Sequence, residues 1–416
     1  MASGRSGSSR ARPSARLARL AVALLVGVWP AAAQAHDASA WGGVFRSTDG
    51  GATWFQANQG RLIAGVLAIA VDPLDRHHLL VGTDEGLLAT QNGGLDWESD
   101  LDAARPGPVF AVAVDRRRRG LAATASGLFR SDASGGLTWH AQPTPAGASP
   151  IRRLVGGEHE GRVYLLGWRG LFRSDDWGGQ WTSIEAGLPD GSRASLVVAR
   201  GPGQPKVLCL VDGQLWASTS GGQQWARAAS TPADGHLQVL AADDLDPAVI
   251  WAAGAGRLFR SADGGDTWQA FGRPLPEVDT EVRGVAESPN HGRVVLSTDR
   301  SVDVSSDGGA TWSMVTDNLP GHIEAGPLVR DPVELDTLYV GFALTPYAEQ
   351  WRRAAEGGSG LGRLTPADVL GAAAFLALLG LTGGVALQWL ARRRPGPTPA
   401  SGDANATVAS RSASAT

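Results

Sequence analysis

The chain has 416 residues and a formal net charge of −4. Its single cysteine, Cys209, excludes an intramolecular disulfide and indicates a buried, apolar role for that side chain. Residues 36–362 carry 27 basic and 39 acidic side chains, a net charge of −12, which argues against general binding to nucleic acid or anionic lipid.

The N-terminal segment has the layout of a secretory signal. Residues 1–35 contain five arginines and no acid, and the apolar run Leu20–Trp29 precedes Ala33-Gln34-Ala35. A basic region, a short apolar region and an A-x-A cleavage site predict a signal peptide over residues 1–35. An uncleaved anchor is the weaker alternative because the apolar run is short.

One short phrase recurs seven times along the chain. It begins with serine or threonine, passes through an acidic or small polar residue and Gly-Gly, and ends in a tryptophan, with 42 to 44 residues between copies. A period of this length indicates one supersecondary unit stacked on copies of itself. The tryptophans that end the copies are Trp54, Trp97, Trp139, Trp181, Trp225, Trp268 and Trp312.

Each unit has room for four short strands, because strand-like runs alternate with Gly, Pro, Asn and Asp. Two such runs, Ala325–Val329 and Thr337–Phe342, follow the last phrase, whereas the first phrase comes directly after Trp41 and leaves no room for two earlier strands. The sequence therefore predicts an all-β, seven-bladed β-propeller over residues 36–345. Its closure is two-plus-two: the N-terminal hairpin completes the blade that the C-terminal strands begin, which leaves no free sheet edge.

The phrase resembles the Asp-box, or bacterial neuraminidase repeat, Ser-x-Asp-x-Gly-x-Thr-Trp. Ser47–Trp54, Ser261–Trp268 and Ser305–Trp312 match it in full. In a tight turn between strands 3 and 4, a carboxylate such as that of Asp49 can accept backbone N–H bonds, and the tryptophan ring can be buried between blades. We therefore expect the aspartates to be structural and the seven tryptophans to be largely buried.

The C-terminal part of the sequence predicts a membrane anchor. Residues 346–368 are interpreted as a linker, and residues 369–390 carry no charge over 22 residues, about 33 Å as a helix. Arg392–Arg394 follow directly, and positive residues stay on the cytoplasmic side. We expect a single-pass protein of the cell membrane, with an extracytoplasmic propeller and a disordered cytoplasmic tail over residues 391–416.

Patterns for catalysis or metal binding are weak, and neither a cofactor nor a metal is expected. His77 and His78 are adjacent, so in a strand they point to opposite faces and cannot share one ion. Sialidases also contain Asp-boxes, but they are six-bladed and need an arginine triad and a tyrosine–glutamate nucleophile. This sequence has three tyrosines, of which Tyr164 and Tyr339 lie inside strand-like runs, and it has no Phe-Arg-Ile-Pro phrase. The acids to compare with a glycosidase pair are Asp84, Asp212 and Asp299, each in a strand 2–3 loop, although solvated loops explain them better.

In blade number the chain resembles the seven-bladed photosystem II assembly and stability factor family of cyanobacteria and chloroplasts. That resemblance implies an extracytoplasmic, non-catalytic assembly factor with an arginine-rich surface for its partner, although the predicted membrane segment departs from the family. The first hypothesis is therefore a membrane-anchored scaffold that binds a protein or peptide. The alternative is a sialidase-like, carbohydrate-active hydrolase or a glycan-binding module, and a sensor that signals through the tail is a weaker third.

The candidate binding surface is the face that carries the strand 4–1 and strand 2–3 loops. A basic or imidazole side chain precedes each inner strand, and a ring of them around the channel mouth would suit an acidic partner. Trp168 and Arg169, in a 2–3 loop, would add an aromatic anchor. The alternative is that these loop side chains are merely solvated, as we also expect for the turn Arg116–Arg119. The predicted ring consists of Arg61, Arg105, Arg152, Arg153, Arg193, His236, Arg283 and His322.

Overall fold

The computed structural model describes residues 42–58, 61–99, 107–132, 138–200, 203–233, 236–243, 245–277 and 279–356. The predicted signal peptide (1–35), membrane segment (369–390) and tail (391–416) lie outside these residues. None of the helices within the described ranges combines the length and the apolar character that a bilayer span requires.

The described residues form seven four-stranded antiparallel sheets, each a blade of the propeller. Blades 1 to 3 contain β3 (Val66–Asp72), β4 (Asp75–Thr83), β5 (Leu87–Thr90) and β6 (Glu98–Ser99); β7 (Val109–Val114), β8 (Gly120–Thr124), β9 (Gly127–Ser131) and β10 (Trp139–Gln142); and β11 (Ile151–Gly156), β12 (Val163–Gly167), β13 (Leu171–Ser174) and β14 (Thr182–Ser183). Blades 4 to 6 contain β15 (Arg193–Ala199), β16 (Lys206–Val211), β17 (Gln214–Ser218) and β18 (Ala226–Arg227); β19 (Val239–Ala242), β20 (Ile250–Gly254), β21 (Arg257–Ser261) and β22 (Gln269–Phe271); and β23 (Val282–Ser288), β24 (Arg293–Thr298), β25 (Val302–Ser305) and β26 (Ser313–Met314).

The seventh, or closure, blade joins the two ends of the propeller. It contains β1 (Gly43–Ser47), β2 (Phe55–Gln56), β27 (Glu324–Arg330) and β28 (Leu338–Ala343), in the order β2-β1-β28-β27. Strand β1 pairs with β28 over its whole length, from Gly43 opposite Phe342 to Ser47 opposite Leu338. The seven-bladed ring and its two-plus-two closure are therefore confirmed.

The second strand of each blade forms the centre of the core. These strands are buried almost throughout, because each lies between two neighbouring sheets and reads as a continuous apolar run rather than an alternating one. Cys209 lies in β16 and is fully buried, as the sequence predicted. The short outer strands are mostly exposed, so the blades become progressively more polar from the second strand outwards.

The turns between strands 3 and 4 are held by side-chain hydrogen bonds. In the first copy, Asp49 Oδ1 accepts bonds from the backbone N–H of Ala52 (3.0 Å) and Thr53 (2.9 Å), and Oδ2 accepts one from the Thr53 hydroxyl (2.6 Å). Gly50 and Gly51 have φ of 68° and 87°, a region that favours glycine. Asn92 accepts the equivalent backbone bond in blade 1, which supports turn capping as the role of this position.

The tryptophans of the phrase fall into two groups. Trp54, Trp97 and Trp225 are buried, and the indole N–H of each donates to a backbone carbonyl. In Trp97 and Trp225 that carbonyl belongs to the preceding blade, so these rings join neighbouring blades. The other four tryptophans are only partly buried, and their indole nitrogens have no hydrogen-bond partner. They are Trp139, Trp181, Trp268 and Trp312. Burial is thus confirmed for three of the seven and is incomplete for the rest.

The turn Arg116–Arg119 is more than a solvated loop. Arg117 forms an ion pair with Glu160 of blade 3, and Arg118 Nε lies 2.9 Å from Asp72 Oδ2 of blade 1. Asp72 is fully buried, so its charge needs such a partner. The turn therefore joins three consecutive blades on the face that carries the strand 1–2 loops.

Candidate partner-binding site at the channel mouth

The strand 4–1 and strand 2–3 loops meet on one face, as the sequence predicted. In blade 1, Asp84 Oδ1 accepts the backbone N–H of Gly65 (3.1 Å), and the Asp84 N–H donates to the Gly65 carbonyl (3.1 Å). The strand 1–2 loops lie instead beside the strand 3–4 turns, as the bond from Gly93 N–H to the His77 carbonyl shows. Within the part of the chain that the structure describes, the strand 4–1 and strand 2–3 loops therefore lie at the channel mouth and the strand 1–2 loops at the other end.

The three aspartates considered for a glycosidase pair have backbone partners instead. Asp212 and Asp299 repeat the Asp84 arrangement, because their carboxylates accept the backbone N–H of Ser192 (2.8 Å) and Glu281 (3.0 Å). They lie in three different blades and each fixes a loop of its own blade. Each of these carboxylates thus joins two loops at the mouth, so they are more than solvated loop residues.

A cavity of about 550 Å³ lies along the inner strands at the centre of the ring. Apolar side chains such as Leu154 and Val239 form much of its wall. Three residues of the predicted ring, Arg152, Arg153 and Arg283, line this cavity. The structure thus brings together part of the predicted site, from blades 3 and 6.

Acidic side chains accompany the arginines of the cavity. Arg283 Nη2 lies 2.8 Å from Glu281 Oε2 and 2.6 Å from Glu324 Oε1. Burial raises the pKa of Glu324, although the charge of Arg283 opposes that effect. Burial, followed by the charge of Arg283, lowers the pKa of Arg152. The mouth therefore has a mixed charge pattern rather than the continuous positive ring that the sequence suggested.

A helix begins where the sequence predicted a linker. Helix α1 (Tyr347–Ala355) contributes Tyr347 and Trp351 to the cavity wall. The Arg152 guanidinium lies 5.0 Å from the centre of the Trp351 ring, within cation–π range. Sequence reasoning missed this helix, although Pro346 followed by an acid in the first turn and arginines in the last turn is a recognisable helix pattern.

The other predicted site residues lie away from the cavity or cannot be placed. Trp168 is 40% exposed, and its backbone N–H donates to the carbonyl of Pro150 (2.9 Å), close to Arg152 and Arg153 in the chain. Arg105 lies outside the described residues, and only the backbone of Arg193, at the start of β15, is described. The remaining predicted residues are exposed: Arg61, Arg169, His236 and His322.

A tyrosine–glutamate pair does occur, but it does not resemble an activated nucleophile. The Tyr164 hydroxyl donates to Glu158 Oε2 (3.0 Å), and the Tyr164 side chain is fully buried within β12. Burial and the charge of Glu158 raise the pKa of Tyr164, which keeps the hydroxyl protonated. Across the residues that the structure describes, no group of three or more His, Cys, Asp or Glu side chains could hold a metal ion.

Comparisons with known proteins agree with the fold. The chain is similar to the photosystem II assembly lipoprotein Ycf48 of Synechococcus sp. (strain CC9902), with 29% identity over 136 residues, which are 32% of this chain and 40% of that protein. It is also similar to a xyloglucanase of Paenibacillus sp., with 24% identity over 257 residues, which are 58% of this chain and 24% of that protein. The chain thus spans less than half the length of either curated relative.

Among solved structures, YCF48 bound to D1 peptide superposes with a TM-score of 0.50 at 17% identity, covering 67% of this chain and 92% of that chain. At this identity the likeness shows the β-propeller fold alone. No protein-family model matches the chain.

Proposed function

We propose that this protein is a non-catalytic propeller that binds a protein or peptide partner at its channel mouth and assists the assembly of an envelope or membrane complex. The similarity to the assembly lipoprotein Ycf48 supports this proposal. So does the peptide partner in the solved YCF48 structure. The proposal includes an extracytoplasmic propeller, a membrane tether at residues 369–390 and a partner with acidic groups.

The rim of blade 3 is the observation that carries the proposal. Arg152 and Arg153 lie at the start of β11, and the hydrogen bond from Trp168 to Pro150 places the strand 2–3 loop beside them. That loop also contains the exposed Arg169. One blade therefore presents the exposed Trp168 and Arg169 beside the half-buried Arg152 and Arg153, and tryptophan and arginine are the residue types that dominate binding energy at protein interfaces. The same side chains suit a partner that carries carboxylates.

Reversing charge on this rim should abolish partner capture. We expect the variant Arg153→Glu/Arg169→Glu to lose the crosslinked partner that the wild-type chain retains in native membranes, because hot-spot losses of about 2 kcal/mol or more reduce affinity by roughly 30-fold. Arg116→Glu is the matched control, since Arg116 is exposed in the strand 1–2 loop of the opposite face. Equal capture by both variants would place the partner elsewhere.

A carbohydrate-active hydrolase is the second candidate, favoured by the similarity to xyloglucanase and by two acids at the mouth. Glu281 and Glu324 both contact Arg283 Nη2, so their oxygens lie no farther apart than the sum of those two distances. That spacing is compatible with the ~5–5.5 Å between carboxyl groups in retaining glycosidases. If this candidate is correct, purified protein will release reducing ends from xyloglucan and Glu281→Gln will not. The first proposal predicts no release from either.

A further inference from the structure

Helix α1 depends on the propeller for its conformation. It has nine residues and its N-cap, Pro346, makes no side-chain capping bond. Isolated helices shorter than about 12 residues are marginal in water. The missing cap is supplied from β27, because Glu324 Oε2 accepts the backbone N–H of Tyr347 (2.8 Å). The channel mouth thus provides a carboxylate for the N-terminus of a helix, where negative charge is favourable.

The first aromatic residue of the helix occupies a fitted cleft. Tyr347 is buried with Leu67, Phe110 and Ala343, and its hydroxyl donates to the Val66 carbonyl (2.5 Å). The cleft depends on Gly326, because a Cβ at that position would lie 1.8 Å from the Tyr347 hydroxyl oxygen. All three atoms nearest to that Cβ belong to the Tyr347 side chain, so the tyrosine is the first group that alanine at 326 would meet.

The second aromatic residue is held four positions later, on the same face of the helix. The Trp351 ring lies 6.2 Å from the Tyr347 ring, and Arg152 lies over its face. The exposed side chains of the helix, Arg352 and Arg353, pair with Glu349 of the same helix. The capped N-terminus and the two aromatic residues therefore contact the propeller, and Ala354 packs beside them against the same cluster.

We propose that these contacts define a helix-binding groove, and that α1 occupies the groove in competition with a partner helix of the same chemistry: an aromatic first residue and a second aromatic residue four positions later. The inference rests on the proposed function in one respect, namely that the channel mouth is the recognition face. Three residues separate β28 from α1. A short tether gives the internal helix an effective concentration of order millimolar, so a partner must displace it. Its apparent affinity falls in proportion to the fraction of time that the groove is vacant.

A peptide of residues 346–356, labelled at its C-terminal end, tests the groove by fluorescence anisotropy with full-length protein. The variant Tyr347→Ala/Trp351→Ala removes the two aromatic side chains that α1 places in the groove and leaves the propeller residues around them unchanged. We expect it to bind the peptide at least about tenfold more tightly than the wild-type protein, whose own helix competes. Gln350→Pro is a second release variant, because proline breaks the helix interior while both the groove and the aromatic residues remain.

Adding Gly326→Ala to the release variant is the matched control. It should remove peptide binding, because the tyrosine of the peptide meets the new Cβ. Thermal melting verifies that each variant folds. Equal peptide binding by the wild-type and both release variants, or binding that survives Gly326→Ala, overturns the inference. Since the peptide assay needs no natural partner, it can fail while partner capture still depends on Arg153, and the reverse result would reject the proposed function alone.

Discussion

Replacing Trp54 by alanine should lower the free energy of unfolding by about 3–5 kcal/mol, the usual cost of removing a large buried aromatic side chain. Trp54 is fully buried, and its indole N–H donates to the Gly51 carbonyl (3.1 Å). Its ring packs with Phe45 of the closure blade and with Val295 and Val302 of blade 6. The substitution therefore removes contacts that hold the N-terminal hairpin in the ring. Equilibrium denaturation with urea measures the change.

Trp312→Ala is the matched comparison for that result. Trp312 stands at the same position of the phrase in blade 6, but it is only half-buried and its indole nitrogen has no hydrogen-bond partner. Its replacement removes less buried surface, so we expect a smaller loss of stability. Equal losses for the two variants would show that the position in the repeat, rather than burial and the indole hydrogen bond, determines the contribution of these residues.

The sequence predicted the propeller because its defining contacts are local and repeated. The turn that Asp49 caps lies within seven residues of Trp54, so the pattern of one blade is visible in a short window and recurs seven times. The closure could also be predicted, because the chain has no room for the first two strands of a blade before the phrase at Ser47, whereas two strand-like runs follow Trp312. Periodicity carries information about contacts of this kind.

The candidate site was harder to predict because its contacts join residues that are distant in the chain. The Tyr347 hydroxyl donates to the carbonyl of Val66, which lies 281 residues earlier in the chain. Arg152 of blade 3 lies over the ring of Trp351, which belongs to helix α1. The predicted ring treated the loop arginines as a set, whereas Arg283 is paired with Glu324 from the adjacent blade. Only the arrangement of blades shows which charges meet, and spacing along the sequence does not encode it.

Arg330→Ala should lower the free energy of unfolding by about 3–5 kcal/mol, the cost of leaving a buried charge without its partner. Arg330 ends the inner strand of the closure blade, and its Nη2 lies 2.8 Å from Asp243 Oδ1 at the end of the inner strand of blade 5. Its other terminal nitrogen donates to the Glu287 carbonyl of blade 6. The two side chains are only 3% and 9% exposed, so water cannot replace the lost contact.

The double variant Asp243→Ala/Arg330→Ala separates the stability contribution of the ion pair from that of the other contacts of Arg330. If the cost of Arg330→Ala comes from the unpaired Asp243 carboxylate, then removing that carboxylate as well should recover part of the lost stability. Because inner strands run from the mouth to the opposite face, this pair crosses the far end of the channel, away from α1. Binding of the 346–356 peptide by the released groove should therefore be unchanged by Arg330→Ala. A double variant no more stable than Arg330→Ala would instead show that the arginine contributes through its bond to Glu287 and its packing.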